Sequence, residues 1–179
     1  MELTATTTVT RPVQDVYAFW RDLERLATFM AHLDEVRTTG PRTSHWRASA
    51  PFDTTVEWDA EIVDDVTGER ISWRSVEGAD VDNAGEVIFA PAPGGRGTEV
   101  HVILRYDAPA GALGKAVAKY FGEEPSQQLD DDLRRFKQVM ETGEVLRSDG
   151  APWGKRARKE FPQRPAQPLT EDEWTEIQA

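Results

Sequence analysis

Three histidines, His32, His45 and His101, and no cysteine are the chain's whole supply of imidazole and thiolate ligands for a transition metal. No two histidines stand at HxH or HExxH spacing, and the carboxylates form no recognisable ligand cluster, so no metal site is expected. The absence of cysteine also removes disulfides, thiol nucleophiles and iron–sulfur clusters, as suits a reducing cytoplasm. Gly94-Gly95-Arg96-Gly97 has the composition of a phosphate-binding loop. It joins two alternating runs and leads into no helix bearing Lys-Ser or Lys-Thr, so it reads as a hairpin turn. No GxSxG elbow supports a hydrolase triad. The polar side chains left to consider are those facing an apolar interior, and finding them requires the elements that position them.

The 179 residues carry 21 Lys+Arg against 32 Asp+Glu, a net charge of −11, with 39% hydrophobic residues. A chain of this size buries roughly 70% of its unfolded surface around a single core. The negative charge opposes binding to a phosphate backbone, so nucleic acid is not an expected partner. Apolar runs are short and the N-terminus lacks a basic segment followed by an apolar one. Neither a signal peptide nor an integral membrane segment is expected, and the expected location is cytoplasmic.

Residues 3–10 are Thr/Val-rich and read as a strand that stops at Arg11-Pro12. Pro12 suits a first helical position, and Val13, Val16, Tyr17 and Trp20 recur at helical spacing. Asp22 is placed to cap a second short helix, with Leu23, Leu26, Phe29 and Met30 on one side. From Asp34 the period changes to two. Runs at 36–39, 44–50, 54–64, 70–76, 82–90 and 98–107 are separated by Gly, Pro and Asp, which predicts an antiparallel meander. Val56, Trp58, Ala60 and Ile62 alternate with Glu57, Asp59 and Glu61, and Ile71, Trp73 and Ser75 with Arg70, Ser72 and Arg74. One face is apolar; the other is a wet surface suited to cross-strand pairing. In the last run Val100, Val102, Leu104 and Tyr106 take the inner face, and His101 the outer.

Such a sheet needs a covering layer. The segment 125–143 provides one, with Leu129, Leu133, Phe136 and Met140 as a stripe. Asp130 and Asp131 early, then Arg134, Arg135 and Lys137, follow the helix dipole and allow pairs such as Asp130 with Arg134. Residues 111–121 read as a Gly/Ala-rich helical stretch. Beyond Gly143 the composition turns Pro-rich and charged, so residues 1–143 are read as the domain and 144–179 as a tail. Thr170-Glu171-Asp172-Glu173 has the form of a capping box, flanked by Leu169 and Trp174. A short terminal helix is predicted there. With Trp153, Phe161 and Ile177 the tail has anchors for docking onto its own domain or a neighbouring subunit, a route to self-association.

The order strand, two short helices, six-stranded meander and long C-terminal helix resembles the helix-grip fold of the START and pollen-allergen-like (SRPBCC) superfamily. Thr10-Arg11-Pro12-Val13-Gln14-Asp15-Val16-Tyr17, Val56-Glu57-Trp58-Asp59-Ala60-Glu61-Ile62, Glu69-Arg70-Ile71-Ser72-Trp73-Arg74-Ser75, Gly94-Gly95-Arg96-Gly97-Thr98-Glu99-Val100 and Leu133-Arg134-Arg135-Phe136-Lys137 are similar to its bacterial polyketide cyclase/dehydrase-like branch. The resemblance covers about residues 2–143 and implies an α+β fold: a curved seven-stranded antiparallel sheet around a long C-terminal helix. Members include aromatase/cyclases, lipid and coenzyme Q carriers and plant hormone binders, so the fold does not name a reaction.

A sheet gripping one helix leaves an interior space of the kind that binds apolar ligands. Alternation aims Trp46, Trp58, Ile71, Trp73, Ser75, Asn83, Val87, Phe89, Val102, Leu104 and Tyr106 at it, and helical phase adds Leu129, Leu133, Phe136 and Met140. Asn83, Ser75, Tyr106 and Asp132 are the inward or boundary polar groups, each needing a partner in water, backbone or ligand. The expected ligand-binding residues are therefore Trp46, Trp58, Trp73, Ser75, Asn83, Phe89, Leu104, Tyr106, Leu129, Asp132, Leu133 and Phe136. The expected function is binding or carriage of a small hydrophobic molecule, such as a lipid, isoprenoid quinone or polyketide-like aromatic, with no cofactor and no obligatory catalysis. The alternative is a polyketide aromatase/cyclase or dehydratase, with Asp132 as base or acid, Tyr106 as proton donor and His32 near the mouth. A third reading is an interaction module whose interior is closed.

Overall fold

A computed structural model describes residues 1–30, 32–50, 54–79, 81–107 and 125–143. All of these belong to the unit Met1–Val145. The expected helical stretch at 111–121, the tail anchors and the helix at Thr170 lie outside the described residues.

The first strand, β1 (Glu2–Val9), is followed by helix α1 (Val13–Arg21) and a 3-10 helix (Leu23–Thr28). Then come β2 (Leu33–Thr38), β3 (Thr43–Ala50), β4 (Thr54–Val66), β5 (Arg70–Ser75), β6 (Asp82–Pro91), β7 (Thr98–Asp107) and α2 (Pro125–Thr142). The strands form one curved sheet in the order β1-β7-β6-β5-β4-β3-β2, and every neighbouring pair is antiparallel. This is the helix-grip arrangement, with β1 returning beside the last strand of the meander.

The second short helix is a 3-10 helix, and the Asp22 side chain makes no capping hydrogen bond to it. Pro12 stands one residue earlier than expected, as the extended N-cap of α1. Strand β2 begins at Leu33, ahead of the predicted 36, because a bulge lies between Leu33 and Glu35. Leu33 pairs with Ala48 and Val36 with Trp46, so two inward residues three apart escape a period-two reading.

A second bulge, between Ile62 and Asp64, has a larger effect. Ile62 lies opposite Trp73 but Asp65 lies opposite Ile71, so the phase of β4 flips and Asp65 joins the inner face. There it accepts hydrogen bonds from the Tyr17 hydroxyl and from Arg21 Nε at 2.7 Å, fixing α1 over the sheet. Burial opposes ionisation of Asp65, but the Tyr17 and Arg21 hydrogen bonds and the Arg21 and Arg42 charges outweigh it. The carboxyl is held below the usual aspartate range.

The wet face pairs as the alternation implies: Arg74 with Glu61, Arg70 with Asp64, and His45 with Asp59. On α2 the expected pair shifts by one residue, Arg134 bonding to Asp131. The glycine-rich segment is a turn between β6 and β7, and Gly97 there has φ 108°. A Cβ on Gly97 would stand 2.1 Å from the Val9 carbonyl oxygen, so the turn can press against the end of β1 only with glycine. The far end of α2 is fastened to the same corner. Thr10 donates to Glu141 Oε1 through its N–H and its hydroxyl, both at 2.9 Å, and Arg11 Nε donates to the Met140 carbonyl. Burial raises the Glu141 pKa, but these Thr10 bonds and the Lys137 and Arg11 charges prevail and lower it.

Candidate functional site

Between the sheet, α2 and the segment that runs from α1 to the turn before β2 lies a partly open cavity of about 120 Å³. Strands β3 to β7 contribute Trp46, Trp58, Trp73, Asn83, Leu104 and Tyr106, all expected from the alternation; α2 contributes Leu129 and Asp132. Ser75, Phe89, Leu133 and Phe136 are not in this wall. The Ser75 hydroxyl bonds to Asp82 and to the Asn83 N–H instead. Phe89 lies edge-on to Tyr17, at 5.8 Å between centroids. Leu133 and Phe136 are buried in the core, where Phe136 packs on Phe19, Trp20 and Phe29 at 5.2–5.6 Å.

One side of the wall is a set of tryptophans. Trp46 and Trp58 are register partners on β3 and β4, and their rings stack at 5.9 Å with a 16° interplanar angle. The Trp46 indole N–H donates to Ser44 Oγ at 2.8 Å, so Ser44, buried two residues earlier, satisfies it. Trp73 lies across Gly85, its register partner on β6. A Cβ on Gly85 would come within 2.2 Å of the Trp73 ring. The glycine is therefore the seat of the indole, a glycine–aromatic cross-strand pairing that alternation alone does not reveal.

The polar groups gather where α2 passes the turn before β2. Asp132 is 2% exposed and accepts from Arg135, whose Nε donates to the Phe29 carbonyl at 2.8 Å. His32 Nδ1 lies 3.0 Å from Gln128 Nε2 and 3.4 Å from Asp132 Oδ2, and all three side chains line the cavity. The amide can donate to Nδ1 when that nitrogen is bare; the carboxylate can accept from it when it carries a proton. Nδ1 therefore has a partner in either state. Tyr106 is elsewhere in the wall, its hydroxyl donating to Met1 Sδ at 2.9 Å, and burial raises its pKa. The phenol stays protonated at neutral pH.

Gln128, Ser44 and Trp20 also line the cavity and are not among the expected site residues. Gln128 follows from the helical phase that places Asp132 inward, four residues on. Ser44 follows from the alternation that aims Trp46 inward. Trp20 sits on an amphipathic helix whose pattern describes core packing and carries no signal for a ligand wall.

A curved antiparallel sheet gripping one long helix over an apolar cavity defines a helix-grip domain. The sequence model for polyketide cyclase / dehydrase and lipid transport proteins matches residues 9–134, and the chain belongs to that family. The Deinococcus radiodurans protein DR_A0006 is 43% identical, with TM-score 0.66 over 80% of this chain and 100% of that one. An uncharacterised 17.2 kDa protein of Streptomyces lincolnensis is 28% identical over 130 residues, 73% of this chain and 83% of its own length. The di-domain ARO/CYC StfQ of the steffimycin biosynthetic pathway shares the fold at TM-score 0.54 and 13% identity, over 78% of this chain and 50% of StfQ. Among the described residues, no helix is long and apolar enough to cross a membrane.

Proposed function

We propose that this protein binds or carries a small hydrophobic molecule in the cavity between its sheet and α2. The supporting observation is the wall itself, in which stacked and seated tryptophans border a space they do not fill. A volume of about 120 Å³ is close to that of an apolar cavity of about 150 Å³ that takes up benzene. The part of the ligand held inside is a single ring or a short hydrocarbon segment of a lipid, isoprenoid quinone or polyketide-like molecule. Native mass spectrometry of the protein purified from its host tests this. A stoichiometric copurified hydrophobic molecule is expected, whereas a bare protein with no uptake of added aromatics would favour an interaction module with a closed interior.

One observation favours a second reading, a cyclase or dehydratase acting on a polyketide-like substrate. His32 has a partner for Nδ1 in both protonation states and stands in the cavity wall. The Asp132 carboxylate is committed to Arg135, so in this reading it holds the His32 proton in place while His32 exchanges protons with the substrate. Tyr106 is the proton donor. Turnover that is lost in Asp132→Asn and Tyr106→Phe, with folding intact, would establish this reading; ligand binding without turnover would exclude it.

A further inference from the structure

One row of inward residues crosses five strands beneath the cavity. Ile62 on β4, Trp73 on β5, Gly85 on β6, Leu104 on β7 and Leu3 on β1 are successive register partners. Ile62, Trp73, Leu104 and Leu3 line the cavity; Gly85 has no side chain to do so, and the Trp73 indole takes its place. Glycine inside a central strand weakens it, so the position calls for a reason. A Cβ on Gly85 would stand 2.2–2.7 Å from three atoms of the six-membered ring of the indole. Ordinary carbon contact begins near 3.5–4.0 Å, so a side chain at position 85 displaces the ring by about 1.5 Å. Along the sheet the ring has nowhere to go. Its own row is taken by Ile62 and Leu104, and the inward positions on either side of Gly85 by Asn83 and Val87. Away from the sheet lies the cavity, only about 120 Å³ in volume.

Resting on the ligand-binding reading above, we propose that Gly85 is a positioning residue that sets the size limit of the cavity, acting through Trp73. With glycine at 85 the indole stays against the sheet and leaves the space open; with any side chain there the indole stands in that space. Residue 85 thus selects ligands by their bulk without touching them. A close-packed interior transmits such a displacement because it holds few voids that could absorb it.

Titration calorimetry on the full chain with toluene and n-propylbenzene, which differ by two methylenes, tests this, thermal melts confirming that each protein is folded. Gly85→Ala is expected to lower toluene affinity by at least about 4-fold, the room of one methylene. The double variant Gly85→Ala/Trp73→Phe is expected to restore it, because phenylalanine lacks the second ring that the added methyl group meets. A glycine needed only for strand stability would give no such rescue. Trp73→Phe alone, which does not depend on the fold tolerating alanine at 85, is expected to raise the n-propylbenzene to toluene affinity ratio by about 4- to 15-fold, the room of one or two methylenes. Unaltered toluene affinity in folded Gly85→Ala, no recovery in the double variant, or an unaltered ratio in Trp73→Phe would overturn the Gly85 assignment and leave the ligand-binding reading standing. No saturable binding of either probe to the wild type would overturn both.

Discussion

Two aromatic regions lie side by side and are built differently. Under α1, Phe19, Trp20, Phe29 and Phe136 meet at tilted or edge-to-face angles of 44–66° with centroids 5.2–6.2 Å apart, and Arg25 caps Phe19 from 4.0 Å. Such geometry fills space and adds about 0.5–1.5 kcal/mol per pair beyond area burial. On the sheet, Trp46 and Trp58 stack nearly parallel and Trp73 lies against a glycine, and all three border a void. Helix α2 serves both: Leu133 and Phe136 complete the core, while Gln128, Leu129 and Asp132, one turn earlier, face the cavity. An aromatic residue thus becomes core or wall according to the geometry of its partners, and Trp20 belongs to both regions.

The largest effect expected from this difference is at Phe136. Phe136→Ala should cost about 3–5 kcal/mol of unfolding free energy in denaturant titration, because it empties a filled site. Leu129→Ala, at the edge of an existing space, should cost near the lower end of the 2–5 kcal/mol range for such truncations. Equal losses at the two positions would erase the distinction between core and wall. Gly85→Ala forces the Trp73 ring off its seat and should destabilise by about 1–3 kcal/mol, with a changed near-ultraviolet circular dichroism spectrum. A neutral Gly85→Ala would show that the ring is free to move.

The smallest effect is that of pH. Asp65 and Glu141 both have folded-state pKa values below the ordinary carboxylate range. Their contribution to stability is complete above that range and is lost as pH falls through the depressed folded values. Asp65→Asn and Glu141→Gln should each flatten the acid limb of a stability profile measured between about pH 2 and 6. An unchanged slope would mean that neither fastening survives in solution.

Much of this was legible in sequence, for reasons that the particular residues show. Strict alternation through Val56, Trp58, Ala60 and Ile62 gave the inner face of β4, and the 4-3-4 stripe of α2 gave the helix that covers the sheet. Alternation failed where the chain adds a residue: the bulge after Ile62 turns Asp65 inward, and the one after Leu33 hides the start of β2. Composition also says nothing of depth along a face. Phe89 and Phe136 are inward, as expected, yet meet other rings and not the void. His32 lies in a turn with no periodicity, so its meeting with Gln128 and Asp132, about a hundred residues on, is a product of tertiary packing.

The central claim is that the space beside the tryptophans, and not the packed cluster, receives a ligand. Titration calorimetry with acetophenone on wild type and Leu129→Phe tests it most directly, thermal melts confirming that both proteins are folded. The account predicts saturable one-to-one binding to the wild type and its loss in Leu129→Phe, whose ring occupies the cavity. Absence of saturable binding to the wild type, or equal binding to both proteins, would contradict it.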